Sequence, residues 1–361
     1  MYVDERLKLY INKWVVNRVS YFEDLLYFQI HITNRCGNHC KHCYFREIPT
    51  LHDIDLNACL DFLSKCKSLA LKNGKKLQID FIGGDPLLYP KMVEISRFCT
   101  KNQINYGLKC NPNEISDNWD NVRDVVLAAN DIMLSLDGLE QTNDYIRSPG
   151  NFSQTLTAIE QLKTFNKTVR IHFTASKHNS DEILPLFSFL LQEQFILDDF
   201  TWGRYWSEID KQSVLNETDL AALFYEQISF LSNLFSDKNF YFLNADGRLV
   251  PRIFFGFKEH LWIPFFIENG ILYDNVAGYI LTKKDCINCT ATKDVYIVDQ
   301  GLNIYNCRKK MDVNNYTTDF FGGNQHKMVF TDFICSDCLY SNVCKSCYAI
   351  PKKSCLYYRR R

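Results

Sequence analysis

Three cysteines lie within eight residues in Cys36-x3-Cys40-x2-Cys43, with His39 and His42 between them. A tetrahedral zinc site takes four nitrogen or sulfur ligands, so His39 or His42 could complete such a set. The same three thiols also suit three irons of a 4Fe–4S cluster, leaving the fourth iron open to bind a small molecule and pass it one electron. A second set follows Cys286-x2-Cys289, Cys307, Cys335-x2-Cys338-x5-Cys344-x2-Cys347 and Cys355. Those eight thiols satisfy two four-cysteine clusters with none left over, although the two C-x2-C pairs alone could hold zinc. The total of 15 cysteines is odd, in a chain of 361 residues that needs no staples to build a core. That argues for metal ligands in a reducing compartment.

These residues must be positioned by an α/β framework. Candidate strands are Tyr27–Ile32, Leu77–Ile82, Ile104–Lys109, Asp131–Leu136, Val169–Thr174 and Phe200–Tyr205. Between them, apolar residues recur at helical spacing, as Leu56, Cys59, Leu60, Leu63 and Cys66 do within 55–71. Further helices are expected at 91–101, 119–129, 153–165 and 182–193, with Ser153 and Ser180 as N-caps, and another at 213–235. Such alternation predicts a parallel sheet, either doubly wound or closed towards a barrel. Unusual residues follow the strands: Cys36, Gly83-Gly84-Asp85-Pro86, Asn111, Asp137, Asn179 and Arg204. Barrels place their chemistry on these loops, so a shared site is expected there. Residues 236–285 are aromatic without a clean period and read as core between two domains. Cys59, Cys66 and Cys99 read as core thiols.

Composition narrows the partners. Lys+Arg number 41 against 42 Asp+Glu, so there is no basic surplus for nucleic acid or an anionic membrane. No apolar run reaches the ~18 residues of a membrane span, and residues 1–18 lack a signal-peptide core. A cytoplasmic location is expected.

Cys36-Gly37-Asn38-His39-Cys40-Lys41-His42-Cys43, followed by Tyr44, resembles the signature loop of radical S-adenosylmethionine (SAM) enzymes. Phe81-Ile82-Gly83-Gly84-Asp85-Pro86 resembles their Gly-Gly-Glu-Pro motif, with Asp85 in place of Glu. Ser135-Leu136-Asp137-Gly138 and Asp144-Tyr145-Ile146-Arg147 resemble two further segments, with Asn143 replacing a usual His. The resemblance implies a partial (β/α)6 TIM-like barrel with a 4Fe–4S cluster on Cys36, Cys40 and Cys43 that binds S-adenosylmethionine. It places Tyr44 near the adenine and Gly83, Gly84, Asp85 and Pro86 near the methionine ammonium. Ser135 and Asp137 would meet the cofactor's polar groups including the ribose, Arg147 its carboxylate, and Arg204 is a further candidate contact.

The C-terminal cysteines resemble the SPASM extension of these enzymes, with Gly301 preceding Cys307. The implied organisation is an N-terminal extension (1–25), the barrel (26–212), a helical and aromatic bridging region (213–285) and a SPASM domain (286–361). One auxiliary 4Fe–4S cluster would take Cys286, Cys289, Cys307 and Cys347, the other Cys335, Cys338, Cys344 and Cys355. Members of this group modify precursor peptides, and a flavodoxin- or ferredoxin-type protein supplies electrons. Arg308 stands where sulfatase maturases carry an Asp, which disfavours that reaction. Two fully ligated clusters offer a sink for electrons, favouring oxidative carbon–carbon crosslinking of a ribosomal peptide. Epimerisation, with Cys110 as the hydrogen-atom donor, and backbone splicing are the alternatives. A non-catalytic iron–sulfur or zinc scaffold is the alternative of another class. The first strand begins near residue 26, so leader binding is expected from a separate recognition protein, or from the barrel and 236–285.

Overall fold

The structure is a computed structural model describing residues 2–43, 52–167, 169–195, 197–207, 210–244, 246–259, 261–282, 294–307 and 337–341, with 311, 317, 320, 321, 344 and 355–357. The chain starts with α1 (Glu5–Glu23), β1 (Leu25–Thr33), α2 (Leu56–Lys72), β2 (Lys76–Gly83), α3 (Met92–Lys101) and β3 (Asn105–Lys109). It continues through α4 (Asn113–Asp117), α5 (Trp119–Ala128), β4 (Asp131–Ser135), α6 (Glu140–Ile146), α7 (Asn151–Lys163) and β5 (Arg170–Ala175). Then come α8 (Ile183–Gln192), β6 (Leu197–Arg204), α9 (Glu217–Ser236), β7 (Tyr241–Leu243), β8 (Leu249–Pro251) and β9 (Ile253–Gly256). The last elements are α10 (Trp262–Glu268), α11 (Asp274–Thr282), β10 (Val295–Val298) and β11 (Ile304–Tyr305). The chain forms two compact units, one of residues 24–173 and 294–328, the other of 1–23, 174–293 and 329–361.

In the first unit β1 to β5 lie side by side in sequence order, each parallel to the next. A doubly wound sheet reverses its order at a switch point, whereas a (β/α) barrel wall adds each strand beside the last. The unbroken order therefore selects the barrel. β10 extends this wall, parallel to β1, and β11 turns back antiparallel on β10. Helices connect the parallel strands, as crossovers must.

Alternation assigns the two faces of the wall. Phe28, Ile30 and Ile32 of β1 are fully buried, and Phe28 meets Phe62 of α2 edge-on with ring centroids 5.6 Å apart. The opposite face is polar. Lys109 Nζ of β3 lies 2.7 Å from Asp80 Oδ2 of β2 and donates to the Tyr27 hydroxyl of β1 at 2.9 Å. That hydroxyl also bonds Asp80. Gly107 makes room for the carboxylate, since a Cβ there would stand 2.6 Å from Asp80 Oδ1. Opposite charge and three hydrogen-bonding neighbours hold Asp80 below the usual carboxylate range against the opposing effect of burial.

The second unit is built on aromatics. The described residues of 236–282 supply β7 to β9, α10 and α11. β9 pairs in parallel with β6, and β7 pairs with β8 as a hairpin. Trp262 stacks on Phe224 of α9, ring centroids 3.9 Å apart, and Trp202, Phe257, Phe265 and Phe266 are fully buried around them. Trp202 Nε1–H donates to Gln227 Oε1 at 2.9 Å, so the indole's polar atom is satisfied.

Two expected caps are corrected. Gly150, at φ +79°, is the N-cap of α7, three residues ahead of the expected Ser153, which bonds back to the Gly150 carbonyl from inside the first turn. Ser180 opens a 3-10 turn at 180–182 whose N-cap is Asn179. β6 starts at Leu197 rather than Phe200. α1 was not expected; its Leu7, Ile11, Val15 and Val19 are buried at four-residue intervals.

Candidate functional site

The first unit gathers its site from the exits of β1, β2, β3 and β4. As β1 ends, Thr33 donates its hydroxyl to Asp53 Oδ1 at 2.6 Å and accepts the Arg35 N–H at 3.0 Å. Arg35 also pairs with Asp53 at 3.0 Å. The chain then enters Cys36.

The glycines after β2 dock directly on this exit. Gly84 N–H donates to the Thr33 carbonyl at 2.8 Å, and Asp85 N–H to the Arg35 carbonyl at 2.6 Å. A Cβ on Gly83 would lie 2.4 Å from the Thr33 carbonyl oxygen, and one on Gly84 2.2 Å from that of Arg35. Gly83 also has φ +139°, which disfavours any side chain. The Gly-Gly pair thus fastens one loop to the backbone that presents the cysteines.

Asp85 is 1% exposed and caps the 3-10 turn 86–88 that starts with Pro86, accepting the Leu87 N–H at 3.1 Å. Burial pushes its carboxyl up to about 7, opposed by hydrogen bonds from Leu87 and Asn111. From the β3 exit, Asn111 also donates Nδ2–H to Cys36 Sγ at 3.1 Å, and Cys36 Sγ accepts the Asn38 N–H at 3.4 Å. Cys110 beside it is buried, and burial with the nearby Asp85 raises its thiol well above the ordinary value.

After β4 the chain supplies a buried ion pair. Arg147 Nη2 sits 2.7 Å from Asp137 Oδ2, with neither side chain more than 8% exposed. Arg147 Nη1 faces Cys40 Sγ at 3.9 Å, and His42 Nε2 lies 3.4 Å from the same Asp137 oxygen. Burial lowers the His42 pKa, which keeps the ring neutral. Burial raises the Cys40 thiol to about 11, and the Arg147 charge opposes it. Asn143 accepts the Asp137 N–H at 2.9 Å and donates to Asn151 at 3.1 Å, while Asp144 caps α7 through Gly150 and Phe152. The cysteine loop is pinned to this corner by Lys41 N–H on the Ile146 carbonyl (2.8 Å) and His39 N–H on Ser148 Oγ (3.1 Å).

Cys36, Cys40, Cys43, Gly83, Gly84, Asp85, Asn111, Asp137 and Arg147 are therefore drawn together by one set of loops. Ser135 lies at the end of β4, half-buried, paired in register with His172. In the second unit Arg204 spends its fork on Glu259, Nη2 to Oε1 at 3.0 Å, and on the Leu215 carbonyl at 3.2 Å. Asn179 builds a turn, accepting from Ser176 N–H and donating to the Thr174 carbonyl. Cys307 is half-buried, as are Cys344 and Cys355, and Cys338 is buried. Tyr44, Cys286, Cys289, Cys335 and Cys347 lie outside the described residues. The His42–Asp137 and Arg204–Glu259 contacts had no sequence signal beyond the residue types themselves.

Among the described residues no three His, Cys, Asp or Glu side chains are grouped to hold a metal ion. The donor chemistry at the cysteine loop nevertheless fits an iron–sulfur cluster. Cys36 and Cys40 each lie within electrostatic reach of Cys43, so ionising all three would be opposed unless a cationic partner were bound there. Both faces of the buried Asn38 amide and Arg147 Nε lack protein partners beside the thiols. His42 is turned to Asp137, which weakens its case as a zinc ligand.

Residues 30–190 match the model of the Radical SAM superfamily. An AdoMet-dependent heme synthase of Methanosarcina barkeri is 28% identical over 162 residues, 43% of this chain and 44% of that protein. The radical SAM cyclopropyl synthase TigE of Paramaledivibacter caminithermalis is 23% identical over 185 residues, 46% of this chain and 39% of that protein. The chain thus spans less than half the length of the curated relatives it matches. Among solved structures, Streptococcus suis SuiB bound to precursor peptide SuiA has a TM-score of 0.62 at 17% identity, over 96% of this chain and 78% of SuiB. anSMEcpe with bound AdoMet and the Cp18Cys peptide has a TM-score of 0.64 at 14% identity, over 89% of this chain and 88% of anSMEcpe. At these identities the likeness is one of fold. The match to the Radical SAM superfamily model thus spans β1 to α8 and includes the cysteine loop.

Proposed function

We propose that this chain is a radical SAM maturase of a ribosomally made precursor peptide, and that its reaction is oxidative carbon–carbon, cyclophane-type crosslinking. The observation that carries the reading is the cysteine loop after β1, fastened by Gly83 and Gly84 and bordered by Asn111 and the Asp137–Arg147 pair. The fold likeness to peptide-bound SuiB and anSMEcpe supports a peptide as substrate. S-adenosylmethionine held on a 4Fe–4S cluster by this loop would supply one-electron radical chemistry able to take a hydrogen atom from the substrate.

Cys36, Cys40 and Cys43 hold that cluster in this reading. Tyr44 meets the adenine, and Gly83, Gly84, Asp85 and Pro86 line the amino-acid end. Asp85, poised near neutrality, gains a partner when an ammonium lies against it. Ser135, Asp137 and Arg147 complete the cofactor contacts; the expected contact from Arg204 is withdrawn, because its guanidinium is taken up by Glu259 and the Leu215 carbonyl. Cys286, Cys289, Cys307 and Cys347 hold one auxiliary 4Fe–4S cluster, and Cys335, Cys338, Cys344 and Cys355 the other. A leader-recognition protein and a flavodoxin- or ferredoxin-type donor are the proposed partners, in the cytoplasm. No helix among the described residues is long and apolar enough to cross a membrane.

Iron and sulfide analysis of anaerobically purified chain tests the reading. About twelve irons per chain, four per cluster, with 5′-deoxyadenosine formed on reduction, is the expected result. Zinc in place of iron would leave a binding scaffold.

A further inference from the structure

The three cysteines of the loop meet different surroundings, and two of them face side chains sent from other loops. Cys36 Sγ accepts the Asn111 Nδ2–H at 3.1 Å, across 75 residues of sequence. Arg147 Nη1 approaches Cys40 Sγ at 3.9 Å, across 107 residues. Neither donor is loosely held. Asn111 also stands near enough to the Asp85 carboxyl to lower its pKa, and Arg147 is locked by the buried Asp137 at 2.7 Å. Asp137 is fixed in turn by Asn143, whose Oδ1 takes its N–H.

Both contacts act in one direction. An N–H pointed at a thiolate withdraws electron density from sulfur, and a guanidinium beside it adds positive potential. Either stabilises the more electron-rich state of a cluster that the sulfur ligates, which raises its reduction potential.

We infer that Asn111 and Arg147 are positioning residues for the cysteine loop, donating to Cys36 and Cys40 and thereby setting the potential at which the cluster on that loop accepts an electron. This rests on the functional reading above. It shifts the main duty of Arg147 from the cofactor's carboxylate to the cluster's ligand, with Asp137 as the anchor that aims it. The arrangement also couples the parts of the site. Asn111 reaches Cys36 and Asp85 together, so a change at the Gly-Gly-Asp-Pro loop is transmitted to the Cys36 sulfur.

The test is an EPR-monitored redox titration of the reconstituted full-length chain, following the one cluster whose signal changes when S-adenosylmethionine is added. Asn111→Ala should retain iron and shift the midpoint of that cluster to lower potential, leaving other clusters unmoved. Arg147→Gln should do the same, and Arg147→Lys, which keeps the charge, should recover part of the shift. If Asn111→Ala loses the cluster, Asn111→Ser, which keeps a shorter donor, should retain it with an intermediate potential. Midpoints equal to the parent's in Asn111→Ala and Arg147→Gln would overturn the inference, as would loss of the cluster in Asn111→Ser. A parent chain with no cluster responsive to S-adenosylmethionine would instead overturn the functional reading, so the two failures are distinguishable.

Discussion

Gly84→Ala is the sharpest perturbation of the site that leaves every charged and sulfur-bearing group in place. The added methyl would stand 2.2 Å from the Arg35 carbonyl oxygen and 2.8 Å from Asn34 O, and all of these atoms are backbone. Ordinary contact begins at 3.4 Å, so the two loops must part by about 1.2 Å. Separation on that scale breaks the Gly84 bond to Thr33 and the Asp85 bond to Arg35, which have lengths of 2.8 and 2.6 Å. Two backbone hydrogen bonds are worth about 2 kcal/mol together, and residual crowding adds about 1–3 kcal/mol. The expected loss is about 3–5 kcal/mol, a fall of roughly 10 °C in melting temperature for a unit of this size. Gly278→Ala is the control, since nothing lies within 4 Å of its would-be Cβ in α11. There helix propensity should add up to about 1 kcal/mol. Urea unfolding of the metal-free proteins, followed by iron uptake on reconstitution, reads both. A Gly84→Ala chain within ~0.5 kcal/mol of the parent would refute the docking argument, because that is the ordinary scatter of a neutral surface change.

Asp85 predicts a pH dependence of the metal-free chain. Its folded pKa is about 7, above the ordinary carboxyl value of 3.8, so the stability tied to its protonated form is complete below pH ~4 and drains away as pH rises through 7. Asp85→Asn should therefore match the parent near pH 4 and exceed it by up to about 4 kcal/mol above pH 7 in urea titrations, three units at 1.36 kcal/mol each. Arg147→Ala alone should cost about 3–5 kcal/mol by leaving Asp137 buried and unpaired. The Arg147→Met, Asp137→Leu double variant should cost less than the two single changes summed, as a double-mutant cycle would record. Cys344→Ala should lower iron from about twelve to about eight per chain while 5′-deoxyadenosine still forms and peptide product does not.

The barrel wall was legible because each of β1 to β5 is a short apolar-rich run followed by turn chemistry, and the intervening helices carry a 3.6-type stripe. The cysteine loop and Gly-Gly-Asp-Pro were legible for a local reason: their function is written in adjacent residues. β10 is harder. Val295–Val298 is buried throughout, so it shows no alternation, and four apolar residues cannot distinguish strand from helix. α1 carried a readable stripe at Leu7, Ile11, Val15 and Val19, masked by charges on its other faces. The Arg204–Glu259 pair spans 55 residues, and no sequence period encodes such a partner. Asn143 looked like a departure from a motif; in the structure it ties Asp137 to Asn151, a role defined by where α6 and α7 start.

The central claim, radical modification of a peptide, is tested most directly by mass spectrometry of the precursor peptide after anaerobic incubation with the reconstituted chain, S-adenosylmethionine and a reductant. The account predicts a loss of two hydrogens per crosslink, about 2 Da by bond counting, with the backbone intact and one 5′-deoxyadenosine released for each crosslink. An unchanged mass with one deuterium gained from heavy water would contradict crosslinking and make Cys110 the donor to test, and loss of a backbone fragment would mean splicing. An unmodified peptide with no 5′-deoxyadenosine formed would contradict the account itself.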